Sequence, residues 1–189
     1  MTFNNYLADS LSVIEKTSVS ITQNQLDDVI NVIVNSFKLN SSLLICGNGG
    51  SAADAMHIAG ELVARFLIER KALKVISLVD NPAVITAWSN DYSYETLFAR
   101  QVEAYGDNNS ILLGISTSGN SKNIILAFEK AKELGVKTIA MTGEGGGKLA
   151  SLSDYLLAVP SKNTPLIQQA HICLYHYLCM EIEKRMIVK

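Results

Sequence analysis

The chain has 189 residues, with 16 Lys+Arg against 18 Asp+Glu and a formal net charge of -2. That balance lacks the clustered positive charge of a nucleic-acid binder, and 48% apolar residues exclude a disordered chain. Charged residues amount to 18% and mean hydropathy is +0.19, so part of the apolar surface is expected to be covered by further subunits. A chain of this length is expected to form one compact domain that buries ~70% of its unfolded surface. The opening Met1-Thr2-Phe3-Asn4-Asn5 lacks the basic and apolar stretches of a signal peptide, and no segment reaches the ~18 uninterrupted apolar residues of a membrane span. A soluble cytoplasmic protein is expected. Cys46, Cys173 and Cys179 lack CxxC spacing and sit in apolar runs, which reads as reduced core cysteines.

In chain order, residues 4 to 19 read as a helix with Tyr6, Leu7, Leu11 and Ile14 on one side. From Gln25 the apolar positions Leu26, Val29, Ile30, Ile33, Val34 and Phe37 recur at helical spacing behind the capping-box pattern Thr22-Gln23-Asn24-Gln25. Residues 1 to 40 thus form a helical arm, packed on the core or on a partner subunit. Beyond them, short apolar runs alternate with amphipathic segments, the pattern of a parallel sheet covered by helices on both faces. Strands are expected at 43–46, 75–79, 111–115, 138–141 and 155–159. Helices are expected at about 51–66, 82–89, 93–104, 121–134 and 164–187. The fold class is therefore α/β, a doubly wound five-stranded parallel sheet of flavodoxin type with extra N-terminal helices, and ligands bind beyond the carboxyl ends of its strands.

Two loops there carry the chemistry. After the first strand comes Gly47-Asn48-Gly49-Gly50-Ser51-Ala52, where glycines let an anion or polyol approach the N–H groups that open the next helix. The same string fits the dinucleotide pattern G-x-G-x-x-A, with Asp80 as the ribose-binding acid; a tight turn without ligand is the plain structural alternative. After the third strand comes Ser116-Thr117-Ser118-Gly119-Asn120-Ser121, four hydroxyls and a glycine at a helix N-terminus, a phosphate cradle by composition. One serine would suffice for a cap. A dinucleotide enzyme has no use for a second anion loop on the adjacent strand, so the pair favours one phosphorylated metabolite lying across both, with no nucleotide cofactor.

His57 and Glu61 are four residues apart and share a helix face beyond the first loop. Such a pair ligates a metal or divides acid and base work, although an isolated HxxxE is more often a solvated surface. The last helix carries Gln168, His171 and His176. His171 falls on its apolar stripe and reads as a hydrogen-bonded core residue. Its opposite side holds Ile172 and Cys179 beside His176, so this helix is expected to be covered on both sides. Gln168 and His176 are eight residues apart, about 12 Å along a helix, too far to meet easily on one ion.

With these residues assembled, the chain resembles the sugar isomerase (SIS) domain, and specifically the bacterial phosphoheptose isomerases. The resemblance spans nearly the whole sequence. Its carriers are Cys46 to Ala55, His57 with Glu61, Ser89-Asn90-Asp91, Ile115 to Ser121, and Ile167-Gln168 with His171 and His176. It implies sugar-phosphate contacts at Asn48, Gly49, Gly50, Ser51, Glu61, Asn90, Asp91, Ser116, Thr117, Ser118, Ser121 and Gln168. It also implies a zinc ion on His57, Glu61, Gln168 and His176, and a homotetramer with active sites between subunits. The activity implied is interconversion of sedoheptulose 7-phosphate and D-glycero-D-manno-heptose 7-phosphate for lipopolysaccharide or capsule, with Glu61 as carbon base and His176 as acid/base on the oxygens. Where the family often reads Arg-(Ile/Val)-Gln-Glu, this chain has Leu166-Ile167-Gln168-Gln169, a departure that bears on substrate placement and local salt bridges. The same domain occurs in a binding protein that associates with the replication initiator and in isomerases of other sugar phosphates. Retention of Glu61 and His176 argues against the first, and the set through His57 and Gln168 favours heptose.

Overall fold

The computed structural model describes residues 1–187. Helices α1 (Phe3–Ser20) and α2 (Gln23–Lys38) precede strand β1 (Leu43–Gly47), helix α3 (Gly50–Val63) and strand β2 (Val75–Ser77). Helices α4 (Pro82–Asp91) and α5 (Leu97–Tyr105) lead to strand β3 (Ile111–Ser116), helix α6 (Lys122–Glu133), strands β4 (Lys137–Thr142) and β5 (Tyr155–Ala158), and helix α7 (Thr164–Ile187). All strands are parallel, in the order β2-β1-β3-β4-β5. In register, Leu43 stands between Val75 and Ile111, and Ile139 stands between Leu113 and Tyr155.

β1 and β3 are buried along their whole length, which is why both read as unbroken apolar runs rather than alternating ones. Alternate residues feed two cores. Leu43, Ile45, Leu113, Ile115 and Met141 pack with α2, α3 and α7, whereas Leu44, Cys46, Leu112 and Ala140 pack with α5 and α6. The chain leaves β1 toward β2 on one side and reaches β3 on the other, so the crevice at the carboxyl ends of β1 and β3 is the topological switch point. No described helix is long and apolar enough to cross a membrane.

The Thr22 capping box forms as expected, with Gln25 closing back on the Thr22 backbone. The expected helix over 93–104 instead begins as a separate 3-10 turn, Tyr94–Thr96, because Ser93 caps it by accepting from Glu95 N. β2 stops at Ser77: as an edge strand it pairs only with β1, and the chain then turns to Asn81, the N-cap of α4. α1 departs most. Its buried stripe is Ser10, Val13 and Thr17, while Leu7 and Leu11 are exposed. The Ser10 and Thr17 hydroxyls donate to the carbonyls of Tyr6 and Val13 in the preceding turn, so these polar residues turn inward toward α7 without an unmet donor. Cys173 is a second correction. Cys46 and Cys179 are buried, but Cys173 is exposed on α7, where it lines a groove of about 330 Å3 with Ile14, Ile21, Leu26 and Tyr177. His171 is the core histidine expected of it, wholly buried with Nε2 against the Thr142 carbonyl at 3.1 Å. Burial holds its pKa down at about 4, the Thr142 carbonyl only partly opposing the shift.

Candidate active site

The two glycine and hydroxyl loops meet at the switch point and line a polar cavity of about 250 Å3 with Asn48, Gly50, Ser51, Ser116, Ser118 and Ser121. Ile115, Thr117, Thr164 and Gln168 complete it. Gly49 adopts φ +56°, a left-handed turn that lets α3 start immediately after β1, and a Cβ on Gly50 would overlap the Gln168 amide. α7 and the first loop therefore touch only because that residue is glycine.

The helix ends here, like that of α5, lack the side-chain caps found on α1, α2 and α4. Thr2, Thr22 and Asn81 cap α1, α2 and α4 through their side chains. Gly49 and Ser121, the N-caps of α3 and α6, make no side-chain cap hydrogen bond. The Ser121 hydroxyl lies 2.9 Å from that of Ser116, which in turn lies 3.4 Å from that of Ser118. Two helix N-termini thus face one cavity with their dipoles uncovered and three hydroxyls clustered beside them, an arrangement that favours a dianion.

Asn48 is fixed by residues that its own motif gave no means of finding. It forms a reciprocal amide pair with Asn123 at 2.9 Å each way, and Tyr94 donates to its Oδ1 at 2.8 Å. Asn90 and Asp91 are exposed at the end of α4 and hydrogen-bond each other at 2.9 Å. They and Gly49 lie outside the cavity lining. Leu166 is buried and Gln169 donates to the Tyr6 hydroxyl at 2.8 Å, so the departure at 166–169 ties α7 to α1 through neutral groups.

A second cluster stands farther along α3 and α7. His57 Nε2 lies 2.9 Å from Glu61 Oε1, and His57, Glu61 and His176 each offer a donor atom within 4.8 Å of the others. His176 therefore joins the i,i+4 pair within a single chain. Phe66 stacks on its ring at 5.5 Å between centroids and 21° between planes, and the His57 and Tyr175 rings meet it edge-on. The other side of His57 is held as well: Nδ1 is 2.9 Å from the Tyr175 hydroxyl, which donates over 3.5 Å to Asp54 Oδ1. Burial raises the Asp54 carboxyl, with the Tyr175 hydrogen bond and His57 partly offsetting the rise. Burial, then the Asp54 charge, raises Tyr175 too. Two imidazoles and a carboxylate are the donor set of catalytic zinc sites, which keep an open position for substrate. These side chains fit such an ion. Gln168 lines the polar cavity instead, eight residues before His176, a helix rise of about 12 Å.

The match to the SIS domain family covers residues 2–143. The phosphoheptose isomerase of Crocosphaera subtropica is 53% identical over 164 residues, 87% of this chain and 84% of that protein. That of Helicobacter pylori strain P12 is 50% identical over 169 residues, 89% and 88% of the two chains. The solved phosphoheptose isomerase of Francisella tularensis superposes with a TM-score of 0.93 at 36% identity, covering 97% of this chain and all of that one. With β1 and β3 presenting two uncapped helix ends to one cavity and an imidazole and carboxylate cluster beyond it, the chain belongs to the SIS-domain family and, within it, to the phosphoheptose isomerases.

Proposed function

We propose that this chain interconverts sedoheptulose 7-phosphate and D-glycero-D-manno-heptose 7-phosphate. The observation that carries the reading is the convergence of His57, Glu61 and His176 in a chain whose polar cavity lies about two helical turns away. Gly50 to His57 is seven residues, about 10 Å of helix, a separation suited to a seven-carbon chain with phosphate at one end and the reacting carbons at the other. The phosphate lies on Ser116, Thr117, Ser118 and Ser121 and on the N–H groups opening α6. Asn48, Gly49, Gly50, Ser51 and Gln168 hold the chain's hydroxyls, with Asn90 and Asp91 closing in from α4.

The exchange moves one proton between carbons and one between oxygens, so it needs a base, an acid and a means of carrying negative charge on the enediolate. Glu61 takes the proton from C1 of the ketose and returns it to C2. His176 protonates O2 and accepts the proton from O1, which leaves the aldehyde at C1. Phe66 on one face of His176 keeps water from its ring. A divalent zinc on His57, Glu61 and His176 would supply Lewis-acid polarisation of the carbonyl. Coordination would lower the basicity of the Glu61 carboxylate, so an ion held there would trade base strength for polarisation of the carbonyl. The exposed side of α7 around Ile172 and Cys173 is buried in a tetramer. The product is the heptose precursor of lipopolysaccharide or capsule, made in the cytoplasm where phosphorylated sugars are held.

Incubation with sedoheptulose 7-phosphate, with and without chelator, followed by proton NMR of the anomeric region, tests the reading. New anomeric signals of the aldose are expected; their absence from both samples, and from one supplemented with zinc, refutes it.

A further inference from the structure

Beyond the residues assigned to substrate and ion, one buried group has no role yet. Asp54 is 8% exposed and its Oδ2 has no hydrogen-bond partner among the described residues. A buried carboxylate with an empty oxygen is costly, and this one sits a turn before His57 on α3 and shares Tyr175 with it. Tyr175 has a single proton and two neighbours that could take it. The carboxylate is the stronger claimant, because a hydrogen bond to a charged acceptor contributes about twice as much as a neutral one. With that proton committed to Asp54, the hydroxyl oxygen facing His57 can only accept, and Nδ1 must carry hydrogen. The other ring nitrogen, Nε2, then points its lone pair at Glu61 and His176.

We propose that Asp54 and Tyr175 are positioning residues: Asp54 takes the Tyr175 hydroxyl proton, the hydroxyl oxygen takes the His57 Nδ1 proton, and His57 is held with Nε2 turned toward a divalent cation shared with Glu61 and His176. The inference rests on the reading of that trio as a cation site and not on the identity of the sugar. A histidine ligand whose second nitrogen is anchored is more basic and better oriented, and loss of such an anchor typically costs 10- to 100-fold in metal affinity. The anchor here is relayed through a phenol. With Nε2 unprotonated, its lone pair and the Glu61 oxygen 2.9 Å away repel each other unless a cation lies between them.

The test uses zinc alone, without sugar, so it is separable from the isomerase assay. Metal-free full-length protein is titrated with zinc against a chromophoric chelator, and the zinc-loaded protein is examined by NMR for the His57 Nδ1 proton. That proton, shielded by Tyr175, is expected as a slowly exchanging low-field resonance bonded to nitrogen. Tyr175→Phe removes the acceptor. Asp54→Asn keeps the shape but supplies an amide donor, which turns the hydroxyl around and drives the proton off Nδ1. Both are expected to lower zinc affinity 10- to 100-fold, to abolish the low-field signal, and to keep the far-UV circular dichroism of the parent. Zinc affinity within twofold of the parent in both folded variants overturns the proposal. So does wild-type protein that binds no zinc, or that shows no protected Nδ1 proton when loaded; these two outcomes decide the matter even if a variant fails to fold.

Discussion

Glu183→Gln should be among the most destabilising single exchanges in this chain, although it changes one atom. The Glu183 side chain is wholly buried on α7 and accepts from the backbone N–H groups of Phe66, Leu67 and Ile68 at 3.0, 2.8 and 3.2 Å. It also meets Arg70 Nη2 at 3.1 Å, and Arg70 is itself only 4% exposed. The same guanidinium donates to the carbonyls of Glu61 and Ala64, closing the end of α3. One carboxylate therefore holds the segment that carries Phe66 onto His176. The glutamine amide keeps one acceptor oxygen, leaves the Arg70 charge unpaired and turns a donor toward N–H groups. Removing one partner of a buried pair costs about 3–5 kcal/mol, a fifth or more of the roughly 5–15 kcal/mol that stabilises an ordinary domain. By contrast, Arg100 and Glu103 form a comparable pair at 2.9 Å but are 53% and 51% exposed, so Glu103→Gln should cost less than about 1 kcal/mol. Urea unfolding followed by circular dichroism measures both, as a lowered midpoint at unchanged slope. A Glu183→Gln loss no larger than that of Glu103→Gln would refute the idea of a buried clamp. The pH dependence adds a sign. Burial alone would raise the Glu183 carboxyl, but the three N–H groups and Arg70 outweigh it and its pKa is lowered. Its contribution is complete above the unfolded carboxylate value and is lost as pH falls through the lower folded one, so the gap between parent and variant should narrow in acid.

Glu61→Gln should lower kcat by ~10²-fold or more while sugar phosphate still binds by calorimetry, since the amide keeps the shape and loses the basicity; a residual rate above a tenth of the parent's would place the base elsewhere. Ser118→Ala and Ser121→Ala should raise KM more than they lower kcat, each losing ~1.5–3 kcal/mol of hydrogen bonding to a dianion, and unchanged binding in the double variant would remove the cradle. His171, held down at about 4 by burial, resists protonation when folded, so stability is complete above its unfolded value near 6.5 and falls by roughly 3 kcal/mol toward pH 4. Urea midpoints across that range should drop less in His171→Gln. Ile172→Glu, on the exposed side of α7, should dissociate the proposed tetramer and abolish activity together, as read by sedimentation velocity beside the isomerase assay; a parent that sediments as a monomer, or an unchanged tetramer in the variant, would clear that face of a role.

What the sequence could disclose follows from the range of each interaction. β1 and β3 are legible because double burial writes itself as a run of apolar residues, and the two loops because a tight turn and a helix end demand glycine and hydroxyl at fixed positions. His57 and Glu61 are legible because a helix places i and i+4 together. α1 misleads because its buried stripe is Ser10, Val13 and Thr17, whose hydroxyls are satisfied locally, so hydrophobicity no longer marks the inward face. Tyr175 misleads in the opposite way. Its ring belongs to the apolar stripe of α7 and is 1% exposed, so periodicity files it as core, yet its hydroxyl emerges between Asp54 and His57 from a helix more than a hundred residues away in sequence. Glu183 and Phe66 are likewise joined across 117 positions by hydrogen bonds to backbone groups that have no sequence signature. The His57–Glu61 pair was thus readable from local spacing, whereas His176, on α7, entered only through the family resemblance. The groups that orient them depend on how α3 and α7 cross, which only the folded chain determines.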